Sequence, residues 1–342
     1  MRQFDLSSGF SPGPGRGKGM RIWVSGSIAR DLIMDFPGRF ADFIDVKKIH
    51  VLSLSFTVRN LRENIGGTAA NIVYNLACLG ERPDLVGAIG YDQPKLRSYF
   101  QKLRVGTSHL TTSKTKLTSA AYIITDRDDN QITGFHPGAV EEVSIFPRGA
   151  RTGDYAVIAA QTPGNMTRLA KFYRSRGIRY IFDPGQQAIA FRKTDLRTGI
   201  AGAAVLIGND YEIALIASSL RGRRAEATSS PAGLLLRQMA DRKDAVLVRT
   251  LGPKGSEIYT GRKKIRIGIA KPRRVVDPTG AGDAYRAGFL KGLILGYNLK
   301  TCGQLGATVA SFVVEEYGTQ NHKFSWNTIK QRYKKNFREN LQ

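Results

Sequence analysis

Polar and apolar positions follow two rhythms in this chain, and the pattern becomes regular after Asp154. Short apolar runs, YAVIAA at 155–160, IRYIFD at 178–183, AAVLIGN at 203–209 and AVLVRT at 245–250, alternate with stretches whose apolar residues recur every three or four positions. The runs read as buried strands and the stretches between them as helices, over Asn165 to Arg176 and from Tyr211. Strands and helices alternating at this interval predict an α/β fold, a mostly parallel sheet with helices on both faces.

The first half is less regular. Arg21 to Ser25 (RIWVS) predicts a strand running into a turn at Gly26, with Asp31 shortly after. A carboxylate at the C-terminal end of a parallel strand faces the crevice where open α/β sheets bind ligands. Asp35 to Asn64 has short alternating stretches rich in turn residues, suited to a small β lid, and Ala120 to Thr125 and Gln131 to Phe135, joined by DRDDN, are assigned to the same lid. Between them, Ile72, Asn75, Leu76 and Leu79 continue a helix to a stop at Gly80, and Asp84 to Asp92 gives another strand and turn, followed by a helix over Pro94 to Leu103. Near the end, Cys302 to Val314 reads as a helix, and Trp326, Ile329, Tyr333 and Phe337 as an amphipathic helix expected to dock on the sheet. Residues 1–19, rich in Gly, Ser and Pro, are expected to be disordered.

The chemistry is expected in VVDPTGAGDAYRAGFLKG, residues 275–292, which predicts a strand, a glycine turn at Gly280, Ala281 and Gly282, and a helix opening at Asp283. Such a turn exposes backbone N–H groups at a positive helix end, so an anion belongs there. Asp283 either caps its own helix or takes a proton from an alcohol that attacks a phosphoryl group held by those N–H groups. In the first helix, Gly66 and Gly67 allow close backbone approach, and Asn71 offers a donor and an acceptor. No GxxxxGK[ST] loop occurs, so the Gly280 turn is the candidate phosphate holder. In NDYE, Asn209 and Glu212 lie on one helix face, as a capping box or as outer ligands of a hydrated magnesium ion.

DPTGAGDAYRAGF and GGTAANIVYNLACLG resemble the two signatures of the ribokinase (PfkB) family of sugar and nucleoside kinases, and the likeness runs from about Met20 to about Phe324. Stretches such as SFTVRNLRENIGG, TDRDDNQITGFHPGA and EYGTQNH are similar to its adenosine kinase branch. The resemblance implies a three-layer ribokinase-like domain over residues 20–338, with lid segments near 35–64 and 118–137, that transfers phosphate from ATP to an alcohol. It implies Asp283 as base, the N–H groups of Gly280, Ala281, Gly282 and Asp283 as anion hole, and Asp31, Gly66, Gly67 and Asn71 as sugar holders, with Phe135 and His136 near a substrate base. It places Asn209, Glu212, Thr250, Gly252, Gly255 and Asn321 around ATP and Mg2+, and a possible K+ site at Asp277 and Thr279. Pro278 stands where the family often has Thr, which removes a hydroxyl from that site. The acceptor is a nucleoside, adenosine first, or alternatively ribose, a hexose or another sugar. The chain is expected to be a monomer or a homodimer through the lid.

Composition changes this little. Two cysteines, Cys78 and Cys302, and four scattered histidines point to buried free thiols rather than a zinc site or a disulfide framework. No apolar run approaches the roughly 18 residues needed to cross a bilayer and no signal peptide is visible, so a cytoplasmic location is expected. The net charge of +24 predicts attraction to polyanions. The Lys and Arg residues are dispersed and no nucleic-acid motif accompanies them, so the charge reads as a solvated surface. A module that keeps the fold but binds nucleic acid instead is the contrasting possibility, and intact catalytic residues argue against it.

Overall fold

The computed structural model describes residues 19–341, except 46–52, 129, 143–144, 222–229, 240 and 262. The N-terminal stretch expected to be disordered lies, but for its last residue, outside the described residues. In chain order the strands are β1 (Ile22–Ser25), β2 (Ala29–Asp35), β3 (Arg59–Gly66), β4 (Asp84–Ile89), β5 (Gly106–Thr112), β6 (Ser119–Thr125), β7 (Gln131–His136), β8 (Tyr155–Ile158), β9 (Arg179–Phe182), β10 (Val205–Asn209), β11 (Val246–Thr250), β12 (Ser256–Thr260) and β13 (Lys263–Ile267). The helices are α1 (Thr68–Cys78), α2 (Lys95–Lys102), α3 (Pro163–Ser175), α4 (Lys193–Ala201), α5 (Asp210–Leu220), α6 (Pro231–Gln238), α7 (Ala281–Ile294), α8 (Leu299–Val313) and α9 (Trp326–Phe337).

Nine strands form one sheet in the order β13-β12-β11-β10-β9-β8-β1-β4-β5, parallel except for the β11-β12-β13 meander at one edge. Successive strand residues point to opposite faces, and here they feed two separate cores. Ile22, Val24, Val205, Ile207, Val246 and Val248 join the core beneath α1, α2, α7 and α8. Their neighbours Trp23, Leu206 and Leu247 join the core beneath α3 to α6. That explains why these strands read as unbroken apolar runs. The strand order reverses beside β1, the place where a crevice opens at the carboxyl ends of the strands.

A second sheet of four strands, β3-β2-β6-β7, stands apart. It corrects two expectations. The chain leaves β1 through Gly26 and enters β2 at Ala29, so Asp31 sits inside a strand of the small sheet and not in a turn at the end of β1. The small sheet therefore also starts earlier than the pattern after Asp35 suggests. Val275 to Asp277 is likewise no strand: the chain bends at Val276, and the Val276 and Asp277 N–H groups both donate to the Val314 carbonyl.

Helix α7 is buried from Asp283 onward, between α1 and α8, and it carries the candidate site at its N-terminus. Glycines let α7 and α8 approach closely; a methyl group on Gly306 would lie 2.9 Å from the Tyr285 carbonyl oxygen. Gly306→Ala should therefore cost about 1–3 kcal/mol as the helices are forced apart. A thermal melt would read this as a lowered Tm, and an unchanged Tm would contradict the packing. Helix α9 docks on α8, with Ile329 and Tyr333 buried in the same core as Ile258 and Ile267 of the sheet and the Tyr333 hydroxyl donating to Gln304. Cys302 is buried as expected, whereas Cys78 is half-buried. Among the described residues, no helix is long and apolar enough to cross a membrane.

Candidate active site

Gly280 is the N-cap of α7 and adopts a left-handed backbone (φ 80°). That conformation, costly for other residues, leaves the N–H groups of Gly282 and Asp283 at the open helix end, while the Ala281 N–H donates to the Pro278 carbonyl at 3.2 Å, which corrects the expectation that all of the turn's N–H groups are open to an anion. Asp283 lies in the first turn and its carboxylate does not cap the helix. Its Oδ2 instead accepts from Asn71 Nδ2 of α1 at 2.8 Å. Asn71 is held in turn: Gln320 Nε2 donates to its Oδ1 at 3.0 Å, and the Tyr99 hydroxyl donates to Gln320 Oε1 at 2.9 Å. Both amide groups of Asn71 thus have protein partners, each with one further hydrogen-bonding position to offer. Burial pushes the Asp283 carboxyl up to about 7; Arg286 and the Asn71 bond oppose this, while Asp183 and Asp31 add to it.

Asp31, on β2, is also buried, and it has no hydrogen-bond partner among the described residues. Its carboxyl is pushed up to about 6, first by burial and then by the Asp277 charge. The carboxylate rests against Gly66, where a methyl group would lie 2.0 Å from Oδ2. Gly67 packs on the β1 to β2 link. In strand register Asp31 is opposite Ala121, and Ala121 is opposite Phe135, so Phe135 shares the face of Asp31 and is half exposed. His136 is one residue on and points to the other face, away from Asp31.

A cleft of about 370 Å³ opens on the other side of the α7 N-terminus and reaches Pro278, Ala281 and Gly282. Thr250, Gly252 and Gly255 line it. Its far wall is a stripe on α8, Ala307, Ala310, Ser311 and Val314, spaced so that they share one helix face. Asn209 and Glu212 are not in its wall, although Asn209 pairs with Thr250 at the sheet edge. They form a capping box, Glu212 N–H to Asn209 Oδ1 and Asn209 N–H to Glu212 Oε2, both 2.8 Å. Burial and the Asp183 charge raise the Glu212 carboxyl. Asn321 lies outside the cleft and ties Tyr317 O and Asn64 together. Asp277 is buried and binds its own loop, accepting from the Thr279 and Gly318 N–H groups at 2.9 and 3.0 Å. Among the described residues, no three His, Cys, Asp or Glu side chains cluster to hold a metal.

The profile of the pfkB family carbohydrate kinases matches residues 38–326. This chain belongs to that family. Its similarity to the nucleoside kinase of Methanocaldococcus jannaschii is 33% identity over 322 residues, 93% of this chain and 98% of that protein. The structure of Burkholderia thailandensis nucleoside kinase in complex with inosine superposes with a TM-score of 0.79 at 28% identity, covering 94% of this chain and all of the other. A more distant pfkB relative is an ATP-dependent ribose-1-phosphate kinase of Halopiger xanaduensis, 26% identical over 68% of this chain and 75% of that one. As a pfkB kinase the chain is an ATP-dependent phosphotransferase that acts on a hydroxyl group. The likeness to adenosine kinase read from the sequence is narrower than these matches, which reach nucleoside kinases as a group.

Three residues beside the candidate site are not among those the motifs point to. Gln320 and Tyr99 orient Asn71 from distant segments, which no local spacing could reveal. Arg286 did leave a signal: with Lys291 it is one of two cations in a mostly apolar helix, and it stands four residues after Gly282.

Proposed function

We propose that this chain is a nucleoside kinase that moves the γ-phosphoryl group of ATP to the 5′-hydroxyl of a purine nucleoside, with adenosine as the first acceptor to test. One observation carries the reading: the buried Asp283 carboxylate, oriented by Asn71, follows the cleft-lining Gly282 and lies within electrostatic reach of Asp31, whose carboxylate has no partner among the described residues. Asp31 would accept two ribose hydroxyl hydrogens, Gly66 and Gly67 leaving the sugar room, with Phe135 on the same face for the base. The 5′ oxygen then lies at Asp283, which takes its proton as the oxygen attacks phosphorus. The N–H groups of Gly280, Gly282 and Asp283 would take up the charge growing on the transferred group, and that of Ala281 is held by the Pro278 carbonyl. The purine and ribose of ATP fit the largely apolar cleft between Thr250, Gly255 and the α8 stripe.

Mg2+, when bound, would screen the phosphate oxygens. It keeps most of its water, so the single carboxylate Glu212, reaching it through water, is compatible with the absence of a protein cage. Each Asp277 oxygen already takes one N–H group, which leaves a lone pair for K+ beneath the anion hole, with Thr279 beside it. The small sheet would act as the lid.

ADP release measured with purine nucleosides, pyrimidine nucleosides and free sugars, each with and without K+, tests the reading. We expect purine nucleosides to exceed every free sugar at least tenfold in kcat/KM, with K+ raising the rate. Turnover confined to sugars would replace the acceptor. No ADP release with any acceptor would remove the kinase reading for this site.

A further inference from the structure

Arg286 occupies a place that is costly for a cation. It is buried near the N-terminus of α7, where the helix dipole already presents positive charge and repels a guanidinium. Helical side chains lean back toward the N-terminus, and this brings the Arg286 head group beside Gly282. A methyl group on Gly282 would lie 2.7 Å from Nη1.

One edge of the guanidinium is fixed. Nη2 donates to Asp183 Oδ1 at 2.8 Å and Nε pairs with Asp183 Oδ2. Asp183 follows β9 directly and is itself 1% exposed, so the anchor is rigid. Nη1 has no hydrogen-bond partner among the described residues, although Asp183, Glu212 and Asp283 all lie close enough to interact with this guanidinium electrostatically. A salt bridge meant only to hold α7 to β9 would not need its free N–H edge laid against Gly282, in the turn whose N–H groups open the helix. An incoming anion supplies both the missing acceptor and a charge that the dipole favours.

We propose that Arg286 is a further catalytic residue, its Nη1 edge contacting the phosphoryl group in transit at the start of α7, with Asp183 as the positioning residue that holds the fork. The proposal rests on the phosphoryl-transfer reading above. In that step the acceptor oxygen bonds to phosphorus as the bond to the bridging oxygen of ATP breaks. The alcohol proton goes to Asp283, the electron pair leaves on ADP, and Arg286 donates hydrogen bonds without losing a proton. A single arginine in this role is worth about 10³–10⁵ in rate. It also offsets a group of carboxylates that would otherwise repel ATP.

The test begins with wild-type protein and whichever acceptor it turns over; failure at that stage counts against the phosphoryl-transfer reading, not against Arg286. Given turnover, Arg286→Gln should lower kcat about 10³-fold with the acceptor KM within about threefold. The acid limb of its pH profile should move upward, because Asp283 loses a neighbouring cation. Arg286→Ala should recover part of its rate on addition of guanidinium ion. Near-normal kcat in Arg286→Gln would overturn the proposal. Should the variants fail to fold, a crystal structure of wild type with ADP, aluminium fluoride and the acceptor decides: Nη1 within hydrogen-bond distance of the fluoride supports it, and Nη1 beyond that reach overturns it.

Discussion

Asp283→Asn is expected to lower kcat by about 10²–10⁴-fold while ATP and nucleoside still bind within a few-fold of wild type. Asparagine keeps the shape and can still accept from Asn71 Nδ2, so the loss isolates proton acceptance. Because burial raises the Asp283 carboxyl to about 7, the wild-type kcat/KM should rise tenfold per pH unit below about 7 and level off above it. The same shift fixes a stability effect with the opposite sense. The folded state holds this proton more tightly than the unfolded chain, so between the ordinary carboxylate range near 4 and about 7 the protein loses stability as pH rises. Asp283→Asn should therefore melt higher than wild type above pH 7 and alike below pH 4. A flat activity profile from pH 5 to 8, or unimpaired turnover in the variant, would take the base role from Asp283.

Gly66→Ala should raise the acceptor KM about 10–100-fold and leave the ATP KM unchanged. The new methyl group would overlap Asp31 Oδ2, 2.0 Å away, and a carboxylate on a short side chain can rotate clear without breaking the sheet. The fold survives while the hydroxyl acceptor moves. Hydrogen bonds to a charged group contribute roughly 1.5–3 kcal/mol, which sets the size of the effect. Asp31→Ala should give a similar loss, and the double variant no more than the larger single one. Additive losses would mean that Gly66 acts by a route other than Asp31.

Much of this architecture was legible in the chain because its central strands are buried on both faces and several helices, α1, α3, α4 and α7 among them, run into a glycine. Asp31 was misplaced because a change of sheet between Ser25 and Ala29 leaves no mark in apolar spacing. Val275 to Asp277 looked like a strand since β-branched residues suit extended chain, but here two successive N–H groups turn to one carbonyl, that of Val314, and the chain bends. At the site, the glycines and Asp283 announced themselves through motif spacing. Asn321 and His136 did not end where the resemblance put them, because the facing of one strand residue and the path of one loop are set by tertiary packing. The α8 wall of the cleft was invisible for another reason: Ala307, Ala310 and Ser311 are small residues that also suit plain helix packing.

The hydrogen bond from Asn71 to Asp283 joins positions 212 residues apart. Contacts of such separation carry a large loop-closure entropy and form late in folding. On dilution from denaturant, helical signal should therefore return before catalysis does. A nascent chain that has not yet released α7 would hold the proposed sugar-facing groups and lack Asp283, so on this reading phosphate transfer begins only after α7 has emerged and docked.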